Sequence, residues 1–103
     1  MSNLTVHVLF RFSKKTGKID TTMTGMGSAL MQMWALQNTT KTKGCFICER
    51  DTGKVVFMTT GTKEGFPKVM KGKDIEELTC EALGMPLEVL QEITDDRFDK
   101  EDA

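Results

Sequence analysis

Two ten-residue segments of this chain resemble each other. Thr16-Gly17-Lys18-Ile19-Asp20-Thr21-Thr22-Met23-Thr24-Gly25 and Thr52-Gly53-Lys54-Val55-Val56-Phe57-Met58-Thr59-Thr60-Gly61 stand 36 residues apart and agree at five of ten positions, with Ile19/Val55 a conservative sixth match. The same offset aligns Phe10 with Phe46. Each copy of a repeat is one supersecondary unit. Thr-Gly-Lys between β-forming runs reads as a hairpin turn. Duplication and convergence on a favoured turn both account for the match.

The residues before each turn fit this reading. Leu4, Val6, Val8, Phe10 and Phe12 alternate with Thr5, His7, Leu9 and Arg11, the period of two of a half-buried strand. Pairing Lys14 with Ile19 sets Phe12 opposite Thr21 and Phe10 opposite Met23. Phe10, Phe12, Ile19 and Met23 then share one face, whereas a one-residue slip puts Asp20 there. The same rule sets Cys48 opposite Phe57 and Phe46 opposite Thr59.

Between the hairpins, Met26 to Asn38 is a run of helix formers that is apolar nearly all round, which implies burial or an interface. Residues 61–73 hold Lys63, Lys68, Lys71 and Lys73 with three Gly and Pro67. They read as a long basic loop with one helical turn at Lys68–Lys71. Asp74 with Glu77 forms a capping-box pattern. Gly84 suits a helix end and Pro86 a helix start, so 74–98 reads as two helices. Residues 99–103 read as a frayed tail.

The expected fold is α+β in the order β-β-α-β-β-α-α. A four-stranded antiparallel sheet from two similar hairpins carries its helices on one face. The whole chain of 103 residues is one domain. Within it we place a hairpin plus helix at about 4–40, a hairpin at about 44–60, the basic loop at 61–73 and the acidic helical pair at about 74–98.

Charge is segregated along the chain. Residues 1–73 carry twelve Lys/Arg and four Asp/Glu, and residues 74–103 carry two and eleven, within a total of −1. Such segregation speaks to partners rather than to fold. The N-terminus lacks a long apolar run, so neither a leader nor a span is expected. Three Cys and eight Met point to a reducing, cytoplasmic setting.

Cys45-Phe46-Ile47-Cys48 is half of a four-ligand metal site, with Cys80 and His7 as the only further candidates. Residues i and i+3 of a strand point to opposite faces, so core packing of the thiols is expected, with no metal and no cofactor. Gly25-x-Gly27-Ser28 and Gly61-Thr62-Lys63-Glu64-Gly65 are incomplete as phosphate-binding turns. Residues 79–90, with Cys80 four before Gly84 and Leu90 on the second helix, resemble the helix-turn-helix pattern of DNA-binding proteins. Their second helix carries Glu88 and Glu92, followed by Asp95 and Asp96, which phosphates would repel. A structural corner is the expectation.

No catalytic group assembles from the sequence. The leading expectation is therefore a small intracellular, non-enzymatic protein that binds another protein or itself, with Met31, Trp34, Glu88, Glu92, Asp95 and Asp96 as interface residues. The first alternative is nucleic-acid binding through Lys14, Lys15, Lys18, Arg50, Lys54, Lys63, Lys68, Lys71 and Lys73. The second is an acidic surface that imitates a polyanion and blocks a basic partner. No membrane partner is expected.

Overall fold

A computed structural model describes residues 5–38, 42–61, 67–70 and 74–95. Their elements are β1 (Val6–Ser13), β2 (Ile19–Met26), α1 (Ala29–Gln37), β3 (Thr42–Glu49), β4 (Val55–Gly61), β5 (Pro67–Met70), α2 (Ile75–Leu83) and α3 (Leu87–Asp95). The strands form one antiparallel sheet in the order β2-β1-β3-β4-β5. The α+β class and both hairpins agree with the sequence. The expected four strands are five: Pro67–Met70, read as loop and helical turn, pairs with β4 from Gly61↔Pro67 to Met58↔Met70. Proline lacks an amide hydrogen and sits at the first position of an edge strand, where strands tolerate it.

The two hairpins are joined through their first strands, β1 and β3. Phe10 pairs with Phe46, Val8 with Cys48 and Phe12 with Gly44. The 36-residue offset takes Val8 to Gly44 and Phe12 to Cys48, so it exchanges the last two pairs and maps the first onto itself. A local two-fold axis through the Phe10–Phe46 pair therefore relates the hairpins. Their rings stack with centroids 5.1 Å apart and planes at 16°.

Both faces of the sheet are covered, which corrects the expectation of helices on one face. Val8, Phe10, Phe46, Cys48, Val55, Met58 and Met70 meet Ile75 and Leu90 of α2 and α3 in one core cluster. Leu9, Cys45, Ile47 and Phe57 meet Met31 and Ala35 of α1 in the other. Alternation along β1 and β3 produces both clusters from the same strands. Those strands lie at the sheet's centre, which explains their near-continuous apolar runs.

Each hairpin pairs two residues out of the expected register at its turn, with Phe12 opposite Ile19 and not Thr21 and Cys48 opposite Val55 and not Phe57, and one bulge then follows. Phe12 pairs with Ile19 and Phe10 with Thr21, but Leu9 pairs with Met23. Cys48 pairs with Val55, whereas Ile47 pairs with Phe57 and Phe46 with Met58. An extra residue, Thr22 or Val56, re-aims the side chains beyond it. Met23 and Phe57 therefore join the α1 side, not the face of Phe10 and Phe46.

Gly44 sits where α2 crosses the sheet. A Cβ there would lie 3.0 Å from the Thr59 carbonyl oxygen and 3.1 Å from Leu83 Cδ2 and Met58 Cε. At that same end of α2, Gly84 adopts φ +68°. The Met85 amide donates to the Cys80 carbonyl and the Gly84 amide to that of Glu81, a Schellman closure. Asp74 occupies the N-cap position, but its side chain makes no capping hydrogen bond, so the expected capping box is absent.

Candidate functional site

Among the described residues, the most exposed large hydrophobic side chains lie on α1 or just before it. The helix places Met31 and Ala35 against the sheet. Leu30 and Met33, one or two positions away on a wheel of 100° per residue, turn outward at 73% and 55% exposure. Met26, just before the helix, is 61% exposed. Trp34 is half-buried at the flank of this ridge and packs on the sheet cluster. Residues 21–40 contain no Asp, Glu, Lys or Arg, in a chain that is 28% charged.

This revises the interface expected on α1. Met31 is 2% exposed and packs in the core, so it does not lie on the outer face of the helix. An all-round apolar helix carries no moment that says which side will face out, so the sequence did not single out Leu30, Met33 and Met26 as its exposed residues. The charge-free run could have pointed to them. Glu88, Glu92 and Asp95 are exposed on α3, while Asp96 lies outside the described residues.

The expected basic surface divides in two. Lys14, Lys15 and Lys18 are exposed at the first turn. Ser13 pairs with Thr42, which brings the start of β3 and exposed Lys43 to the same end of the sheet. The Lys43 ammonium lies 4.8 Å from the centroid of the Phe12 ring. Arg50 and Lys54 are at the opposite end, in a turn that also holds Glu49 and Asp51. Thr52, Gly53 and Lys54 line a groove there with Glu76, Gln91 and Asp95. The backbone of Lys68 pairs with Thr60 on β5. Lys63, Lys71 and Lys73 lie outside the described residues.

The cysteine and histidine candidates are dispersed. Cys45 and Cys48 are fully buried in different core clusters on opposite faces. Cys80 is half-buried on α2, and His7 pairs with Glu49 at the second-turn end. Among the described residues no three His, Cys, Asp or Glu side chains gather as a metal site. The three thiols form no disulfide. Burial pushes the Cys45 thiol up, against the opposing effects of the Thr42 hydroxyl and the Arg11 charge. Partial burial, then the carboxylates of Glu76, Glu88 and Glu77, push Cys80 up. A thiol held protonated is a poor nucleophile, so neither environment activates it.

Cys80, Met85, Pro86 and Leu87 also line a groove of about 510 Å³ together with Asp74, Glu76 and Glu77. The groove at the corner between α2 and α3 thus has carboxylates on its walls. No described helix is long and apolar enough to cross a membrane.

Comparison with protein-family models, with curated proteins and with solved structures finds no match for this chain.

Proposed function

We propose that this is a small non-enzymatic binding protein that acts through protein–protein contact. The outer face of α1 makes that contact, first of all with a second copy of the chain. The observation that carries this reading is the exposure of Leu30 and Met33 on a helix whose other side is fully packed. Both faces of the sheet already have their helices, so nothing else in the described fold covers the ridge.

Charge selects the second copy. In an isologous contact the same patch meets itself, so any charge near the axis meets its like. The run 21–40 is free of charge, and α1 is therefore a face on which two such molecules approach without repulsion. Burying the ridge removes apolar area from water, at roughly 25 cal/mol per Å².

Sedimentation velocity from about 1 to 100 µM protein tests the reading, a range chosen around the micromolar affinities that correspond to about −8 kcal/mol. The wild type should pass from monomer to dimer, and Leu30→Glu/Met33→Glu should remain monomeric. Association should survive added salt, because apolar contacts are not screened, whereas a head-to-tail pairing of basic and acidic ends would dissociate. A wild type that stays monomeric throughout, or a dimer that salt abolishes, overturns the assignment.

A further inference from the structure

The two hairpin turns provide an internal comparison. In the first, the Gly17 amide donates to the Ser13 carbonyl at 3.0 Å; in the second, the Gly53 amide donates to that of Glu49 at 2.8 Å. The Lys18 and Lys54 amides donate to the hydroxyls of Thr16 and Thr52 at 3.2 and 3.1 Å. Gly17 and Gly53 have φ of +71° and +75°, a region that glycine enters without cost. One turn geometry is therefore built twice, by the shared Thr-Gly-Lys. It accepts either Ser13-Lys14-Lys15 or Glu49-Arg50-Asp51 before it.

Only the charge differs. The second turn balances Glu49 and Asp51 against Arg50 and Lys54. The first holds Lys14, Lys15 and Lys18 with no carboxylate. The fold does not need Lys14 and Lys15 to make the turn, because the other copy makes it with Arg50 and Asp51 in their places. Pairing of Ser13 with Thr42 adds Lys43 to the same end. Phe12, half-buried under the Lys43 ammonium, stands outside both core clusters, unlike Phe10, Phe46 and Phe57. Helix α2, which carries Glu76, Glu77 and Glu81, packs chiefly on β4, with β3 and β5 beside it.

We propose that this end of the sheet, formed by Lys14, Lys15, Lys18 and Lys43 beside Phe12, binds single-stranded nucleic acid through its phosphates. Lysine ammonium groups displace counterions condensed on the phosphate backbone. An aromatic side chain among them offers a stacking partner to an unpaired base, which a duplex does not present. The inference does not rest on the α1 contact, since it uses different residues and a different force.

The test is fluorescence anisotropy of the full chain with labelled single-stranded DNA, single-stranded RNA and a duplex of the same length, at about 50 and 200 mM salt. With three or four phosphates neutralised, single-strand affinity should fall roughly 20- to 50-fold over that range. Ser13→Glu/Lys14→Arg/Lys15→Asp installs the residues of the second turn and keeps its geometry. It should weaken binding at least about tenfold at low salt and flatten the salt dependence, while sedimentation stays as in the wild type. Lys15→Gln/Lys43→Gln, at two exposed positions, should shift affinity in the same direction. The inference is overturned if single strands do not bind at low salt, if the duplex binds more tightly, or if these variants bind as the wild type does.

Discussion

Phe10 lies directly opposite Phe46 across the two central strands, with the rings stacked 5.1 Å apart, and the sequence repeat equates the same two residues. One pair is thus both a structural contact and the symmetry element of the sheet. From it run the two hairpins, one to each side, and the fifth strand is an addition on the β4 edge. The symmetry covers the hairpin backbone but not the charge or the helices. The surfaces argued above lie where the second copy was not constrained to follow the first.

Gly44 marks the closest approach between the sheet and α2. Gly44→Ala should destabilise the protein by about 1–3 kcal/mol, since the added methyl meets a backbone oxygen and two packed side chains and overpacking costs that much. Gly25→Ala, whose Cβ would only reach Met31 Cε at 4.0 Å, should be far milder. Urea unfolding of the two variants checks the difference; equal midpoints would mean that α2 does not press on Gly44.

The two sides of α1 should respond oppositely to substitution. Met31→Ala removes a side chain that is 2% exposed and should cost about 2–5 kcal/mol. Leu30→Glu and Met33→Glu, on the outer side, should each change monomer stability by no more than about 0.5 kcal/mol. Thermal unfolding at low protein concentration separates them, and a large loss from Leu30→Glu would place that side chain in the core.

Thr59 is 1% exposed, and its hydroxyl finds no hydrogen-bond partner among the described residues. Thr59→Val keeps the shape and removes the buried polar atom, so it should stabilise by about 1 kcal/mol or more. A loss of stability on denaturant unfolding would show that the hydroxyl is satisfied in solution.

In the native protein one thiol of three should react with an aromatic disulfide reagent: Cys80, half-buried on α2, with Cys45 and Cys48 sealed in the core. Its rate should be slow at neutral pH and climb above the ordinary thiol range, and Glu76→Gln/Glu77→Gln should raise it by removing two of the carboxylates that hold the proton on. Because Cys45 and Cys80 bind their protons more tightly when folded, they contribute stability below the ordinary thiol range. That contribution is lost as the pH rises through it toward the raised folded values. Rapid reaction of two or three thiols at neutral pH would contradict the packing.

The hairpins, the central strands and the helical corner were legible because local signals set them. Thr-Gly-Lys fixed both turns, alternation in β1 marked its two faces, and Gly84-Met85-Pro86 marked the join of α2 to α3. The bulges at Thr22 and Val56 were not legible, since a single unpaired residue leaves no trace in composition, yet each decides which core receives Met23 or Phe57. β5 was hidden by its shortness and by Pro67 and Lys68, residues that suit a protected edge as well as a loop. Leu9, Cys45 and Ile47 interrupted a clean alternation, and those interruptions were the sign of a second core under α1. At the candidate surfaces, the lysines of the first turn could be read from the sequence. The outward side of α1 could not, because Met31 and Met33 differ only in where the helix turns them.

Trp34, the single tryptophan of the chain, flanks the α1 ridge and reports on whether anything covers it. Quenching of its fluorescence by neutral acrylamide, followed from low to high protein concentration, shows whether association covers α1. Trp34 should become less accessible as the wild type associates, and should stay equally accessible at all concentrations in Leu30→Glu/Met33→Glu. Quenching of the wild type that does not change with concentration, while sedimentation reports a dimer, would mean that the molecules meet elsewhere and would contradict the assignment of α1 as the interface.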